Sequence, residues 1–68
     1  MEKKIAELVI DFEPKPETDY FALENALQNL PGIERYGIHS DRKVIEIDFD
    51  PEENTIEGIT EALKPLLN

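Results

Sequence analysis

Five short runs, each with a hydrophobic period of two or of about 3.6 residues, constrain this chain more than any other feature. From Lys4 to Glu13 the residues alternate, with Ala6, Leu8, Ile10 and Phe12 on one face and Glu7, Val9, Asp11 and Glu13 on the other. That is the pattern of a half-buried strand. Pro14 and Pro16 then end it, because proline brings no amide to a ladder.

Tyr20, Leu23, Leu27 and Leu30, with Ala26, recur at helical spacing along one stripe. Thr18 or Asp19 can cap this helix by accepting from its unpaired first-turn amides. Pro31-Gly32 stops it, with glycine suited to the left-handed conformation past a helix end. A second strand is expected from about Ile33 to His39, with Glu34, Tyr36 and Ile38 on one face and Arg35, Gly37 and His39 on the other. Ser40 to Lys43 is a polar turn. Val44 to Asp50 alternates again, with Ile45, Ile47 and Phe49 inward, so the two runs form a hairpin. Thr55 caps a second amphipathic helix whose stripe is Ile56, Ile59, Leu63 and Leu66, with Glu57 in its first turn and Lys64 near its end. Pro65 is expected to end or kink it. The order β-α-β-β-α predicts one α+β domain, a ferredoxin-like sandwich with both helices on one face of an antiparallel sheet and the fourth strand absent or vestigial.

Composition narrows the chemistry. The chain has 68 residues and no cysteine, which excludes disulfides, thiolate metal sites and cysteine nucleophiles. Its 40% hydrophobic content, regularly patterned, indicates a folded globule. Sixteen acidic against seven basic residues give a net charge of −9, which repels phosphate backbones and anionic lipid, so neither nucleic acid nor membrane is an expected partner. Leu8-Val9-Ile10 is too short an apolar run to span a bilayer. Met1-Glu2-Lys3-Lys4 leads into a strand pattern without a signal-peptide core, so a cytoplasmic location is the expectation.

Three phrases carry a family resemblance: Leu23-Glu24-x-Ala26-Leu27-x-x-Leu30-Pro31-Gly32-Ile33, then Val44-Ile45-Glu46-Ile47-Asp48-Phe49-Asp50-Pro51, then Thr55-Ile56-x-x-Ile59-x-x-Ala62-Leu63. In this order and spacing the chain resembles the heavy-metal-associated domain family, the small copper chaperones and the metal-binding modules of heavy-metal ATPases. The resemblance implies a Met-x-Cys-x-x-Cys loop leading into the first helix. Aligned on Leu30-Pro31-Gly32, Pro14 stands at the Met position, Pro16 at the first Cys and Asp19 at the second. Monovalent copper requires soft sulfur ligands, which these residues do not offer. No metal ligand or cofactor is therefore carried over. The family also closes with a fourth strand beside the first, whereas this sequence has Lys64-Pro65-Leu66-Leu67-Asn68 there.

Other sites can be weighed from residue types. His39 is expected as an exposed imidazole at a strand end, and a sandwich this thin does not readily enclose a carboxylate pair, so the chain is not expected to be an enzyme. Glu46, Asp48, Asp50, Glu52, Glu53, Glu57 and Glu61 could attract a hard cation, and Asp48-x-Asp50-x-Glu52 resembles the start of a calcium loop. The turn glycine is missing, and Ile59 occupies the distal ligand position. A solvated acidic face is the plainer reading. The alternative to an interaction module is thus a weak hard-cation or small-ligand binder of the sensor type.

Protein contact is the remaining class. In the family's strand order the first strand becomes a sheet edge when the fourth is missing, and such an edge invites pairing. The expectation is a homodimer through strand one, with Glu7, Val9 and Asp11 at the seam. The competing arrangement folds Leu66 and Leu67 back over that edge. Phe21 falls among the polar residues of helix one, where it either anchors a partner or folds over Pro14 or Pro16. Gly58, early in helix two, costs up to about 1 kcal/mol against alanine unless something packs close to it. A protein partner with a basic surface would complement the net charge.

Overall fold

The computed structural model describes residues 4–67; Met1, Glu2 and Lys3, with the sequence's charged opening, and Asn68 lie outside the described residues. Its elements are β1 (Ala6–Asp11), α1 (Tyr20–Asn29), β2 (Ile33–His39), β3 (Val44–Phe49) and α2 (Ile56–Leu67). The order is the one the periodicities predict. The three strands form one antiparallel sheet in the order β1-β3-β2, and the two helices pack on one face, giving a ferredoxin-like α+β fold.

The core follows from the alternation. Ile45, Ile47 and Phe49 of the central strand are buried, and Leu23 and Leu27 of α1 and Ile59 and Leu63 of α2 close over them together with Phe12. Ala6, Leu8, Ile10, Ile33, Tyr36 and Ile38 pack around that centre. Each fully buried Leu or Ile contributes roughly 1.5–3 kcal/mol relative to exposure. No buried side-chain polar atom among the described residues lacks a partner.

Two helix boundaries show how local chemistry sets length. Asp19 is the cap of α1, and its Oδ1 accepts from the Ala22 amide at 3.0 Å. Gly32 follows α1 with φ +80°, and a Cβ there would lie 2.9 Å from the Cβ of Glu53, so both conformation and space require glycine. The Gly32 carbonyl accepts from the Asp50 amide at 2.8 Å, tying the end of α1 to the end of β3.

The structure corrects three details of the sequence reading. Glu34 was expected on the face of Tyr36 and Ile38. A bulge between Ile33 and Arg35 inserts an extra residue there, so Ile33 stays opposite Phe49 while Arg35 faces Asp48, and Glu34 is exposed. Pro65 does not end α2, which continues to Leu67. A proline this near the helix end forfeits one amide bond, and Leu66 and Leu67 are held against the core by apolar contact. Ile56 leaves the buried stripe at 53% exposure, because the first turn of α2 precedes the part packed on the sheet.

Candidate functional site

The loop between β1 and α1 is ordered by its own backbone. Thr18 donates its amide to the Lys15 carbonyl at 3.0 Å, and Lys15 returns its amide to Thr18 Oγ1 at 2.8 Å. Pro16 is exposed and Pro14 half-buried. Asp19, at the position where the sequence resemblance expects a second thiolate, spends a carboxylate oxygen on the helix cap.

The acidic stretch is dispersed. Asp48 pairs with Arg35 at 3.1 Å, Glu46 meets His39 Nε2 at 2.9 Å and Arg42 at 3.7 Å, and Asp50 Oδ1 accepts the Glu52 amide at 2.9 Å. Glu52, Glu53, Glu57 and Glu61 are exposed. No group of three or more acidic or His side chains among the described residues is arranged to hold a metal ion. His39 is not the freely exposed imidazole expected of a strand end. It is half-buried, lies across Gly37 and bonds Glu46.

Gly58 has an internal explanation. Its amide donates to Thr55 Oγ1 at 2.9 Å, and a Cβ at this position would sit 2.7 Å from Asn54 Oδ1. Asn54 in turn donates to the Pro31 carbonyl at 2.8 Å. The close approach that the glycine serves is thus the cap of α2.

What remains is the side of the sheet that carries no helix, together with its β1 edge. Strand β1 pairs with β3 on one side, from Ala6 opposite Phe49 to Asp11 opposite Val44, and has no strand neighbour on the other among the described residues. The Phe12 amide donates to the Lys43 carbonyl at 3.0 Å. Hydrogen-bonded and non-hydrogen-bonded pairs alternate in an antiparallel ladder, so Ile10, Leu8 and Ala6 also direct their backbone groups to β3. Those of Glu7, Val9 and Asp11 therefore point away from the sheet. Their side chains share the helix-free face, where Val9 is 57% exposed; Ile5, just before the strand, is 45% exposed.

Beside Val9 the face is hollow. Glu7, Val9, Arg35, Gly37, Glu46 and Asp48 line a shallow depression of about 300 Å³, and the His39 ring lies over Gly37, where an added Cβ would meet its Nε2 at 3.0 Å. Arg35 pairs with Asp48 at its wall, and Glu46 meets Arg42 and His39 Nε2. The sequence puts Arg35, Gly37 and His39 on one face of the second strand, but their partners across the hairpin needed the register.

Of the residues singled out from sequence, Glu7, Val9 and Asp11 are brought together on one strand. Phe21 is elsewhere, on the helical layer, and is 81% exposed. Leu66 and Leu67 do not lie along the edge as a tail; they form the last turn of α2. Among the described residues no helix is long and apolar enough to cross a membrane.

No protein-family model and no curated protein matches the sequence. Among solved structures, the chain is similar to the solution structure of a candidate copper-ion-binding protein from Bacillus anthracis str. Ames. The TM-score is 0.78 over 96% of this chain and 93% of that one, at 16% identity. At that identity the likeness establishes the fold alone, a ferredoxin-like α+β sandwich.

Proposed function

We propose that this chain is a non-enzymatic interaction module, built on a heavy-metal-associated fold without its thiolate metal centre, and that it acts through protein contacts along β1, including self-association. The observation that carries this reading is the outward set of backbone groups on Glu7, Val9 and Asp11, flanked by exposed Val9 and Ile5. The opposite edge, β2, is interrupted by its bulge, a common guard against pairing. Strand β1 has six consecutive partners and no such interruption. Its guards are the carboxylates of Glu7 and Asp11.

The neighbour's description invites a copper reading, and the residues here do not fit it. Copper(I) is held by soft sulfur, and the sequence contains no cysteine and one methionine, Met1. At the position of the second thiolate, Asp19 is engaged in capping. The open-face carboxylates Glu46 and Asp48 are likewise engaged in ion pairs, in a shallow depression and not an enclosed pocket, which supports contact over catalysis.

Light scattering of the wild type and of a Val9→Pro variant tests the reading. The Val9 amide points outward, so proline there removes a seam donor and no bond to β3. The expected result is a concentration-dependent dimer in the wild type and a folded monomer in the variant. A wild type that is monomeric throughout, and that captures no partner through β1, would refute it.

A further inference from the structure

We propose that two copies of the chain join along β1 in one particular antiparallel register, with Glu7 opposite the partner's Val9 and Leu8 on the two-fold axis. The inference rests on the self-association reading above and adds the geometry of the seam.

The backbone removes half of the registers at once. Outward amides and carbonyls belong to the odd-numbered residues of β1 in both copies, so only odd residues can pair with odd in the new ladder. This parity also keeps the helix-free faces of the two sheets on the same side, since paired residues project to one face. A single-residue slip would aim the outward groups of one copy at those the partner already directs to its own β3.

Charge decides among the registers left. With Val9 opposite the partner's Val9, each Glu7 faces an Asp11, giving two like-charged pairs. With Glu7 on the axis, the two Glu7 carboxylates oppose each other. Moving the strands the other way sets Glu7 opposite the partner's Glu13. Like charges directly opposite in a ladder destabilise it. The register with Leu8 on the axis sets Glu7 against Val9 and Asp11 against Ile5, so each carboxylate meets an apolar side chain that is exposed in the single copy. On the core face it places the two Leu8 side chains together and Ala6 beside the partner's Ile10, all half-buried residues that lose further exposure. It also overlaps the strands from residue 5 to residue 11. The outcome is a continuous six-stranded sheet with β2 at both ends, and the closed two-fold leaves no β1 edge free.

The absence of native cysteine makes the register readable by single thiols. Glu7→Cys and Val9→Cys replace exposed side chains, and Leu8→Cys places one thiol on the predicted axis. Each protein is oxidised at a concentration where light scattering of the wild type reads the dimer mass. Mixed Glu7→Cys and Val9→Cys proteins should give the mixed disulfide in roughly tenfold excess over either homodimer, because only the opposed pair falls within disulfide reach. Leu8→Cys alone should cross-link to itself, as non-hydrogen-bonded pairs bring Cα atoms to about 4.5 Å. A Val9→Cys homodimer in excess would put Val9 on the axis, and a Glu7→Cys homodimer would put Glu7 there; either overturns the register while leaving self-association standing. A wild-type dimer with no cross-link from any of these thiols places the seam outside β1 and also overturns it. A monomeric wild type removes the self-association reading itself.

Discussion

Asp19 closes the start of α1 by accepting the Ala22 amide at 3.0 Å, at the position where the family resemblance expects a thiolate. Substituting a capping aspartate by alanine typically costs about 1 kcal/mol. Asp19→Ala is therefore expected to lower the free energy of unfolding, read from chemical denaturation, by that amount, with no change in oligomer mass. Neither protein should form a stoichiometric copper(I) complex that survives a competing chelator. A complex in the wild type that Asp19→Ala abolishes would contradict the expectation that this loop binds no soft metal.

Gly58 carries a sign that separates two physical effects. Helix propensity alone makes Gly→Ala stabilising by about 1 kcal/mol. Here an added Cβ would lie 2.7 Å from Asn54 Oδ1, an atom that already accepts the Thr55 amide at 2.9 Å. Making room would disturb that bond and the one from Asn54 to Pro31. Gly58→Ala is expected to lower the melting temperature, whereas an increase would show that the cap yields easily.

The strands and helices were legible because their hydrophobic periods are clean. Ile45, Ile47 and Phe49 alternate without a break, and Leu23 and Leu27 sit one helical turn apart. The less legible features depend on tertiary contact. The bulge at Glu34 shows in the sequence only as a charged residue in the stripe of Tyr36 and Ile38, which the alternation alone does not identify as a bulge. Pro65 reads as a helix stop, and only the packing of Leu66 and Leu67 carries α2 past it. The candidate site was half visible. The edge followed from the expected strand order, but the direction of each backbone group needed the bond from Phe12 to Lys43.

Dispersal of the carboxylates predicts how the acidic stretch responds to ions. Glu46 and Asp48 face Arg42, His39 and Arg35, while Glu52, Glu53, Glu57 and Glu61 are exposed. Screening of a −9 chain by moderate salt should raise the melting temperature. Calcium at millimolar concentration should add no more than sodium chloride of matched ionic strength. A much larger calcium effect would favour a hard-cation site.

Phe21 lies on the helical layer, away from the β1 seam, and is 81% exposed. Phe21→Ser is expected to change stability by less than about 0.5 kcal/mol, the range for surface substitutions that touch no special feature. Light scattering should return the wild-type mass. Loss of the dimer in this variant would move the self-association surface to α1.

Amide hydrogen exchange of the wild type, compared at low and high protein concentration, tests the central claim most directly. Leu8, Ile10 and Phe12 direct their amides to β3 and should be protected at both concentrations. Glu7, Val9 and Asp11 should exchange quickly when dilute and become protected as concentration rises, giving a gain confined to alternate residues of one strand. If those three amides exchange equally fast at every concentration while the protein associates, or if no association occurs, β1 is not the contact surface and the account fails.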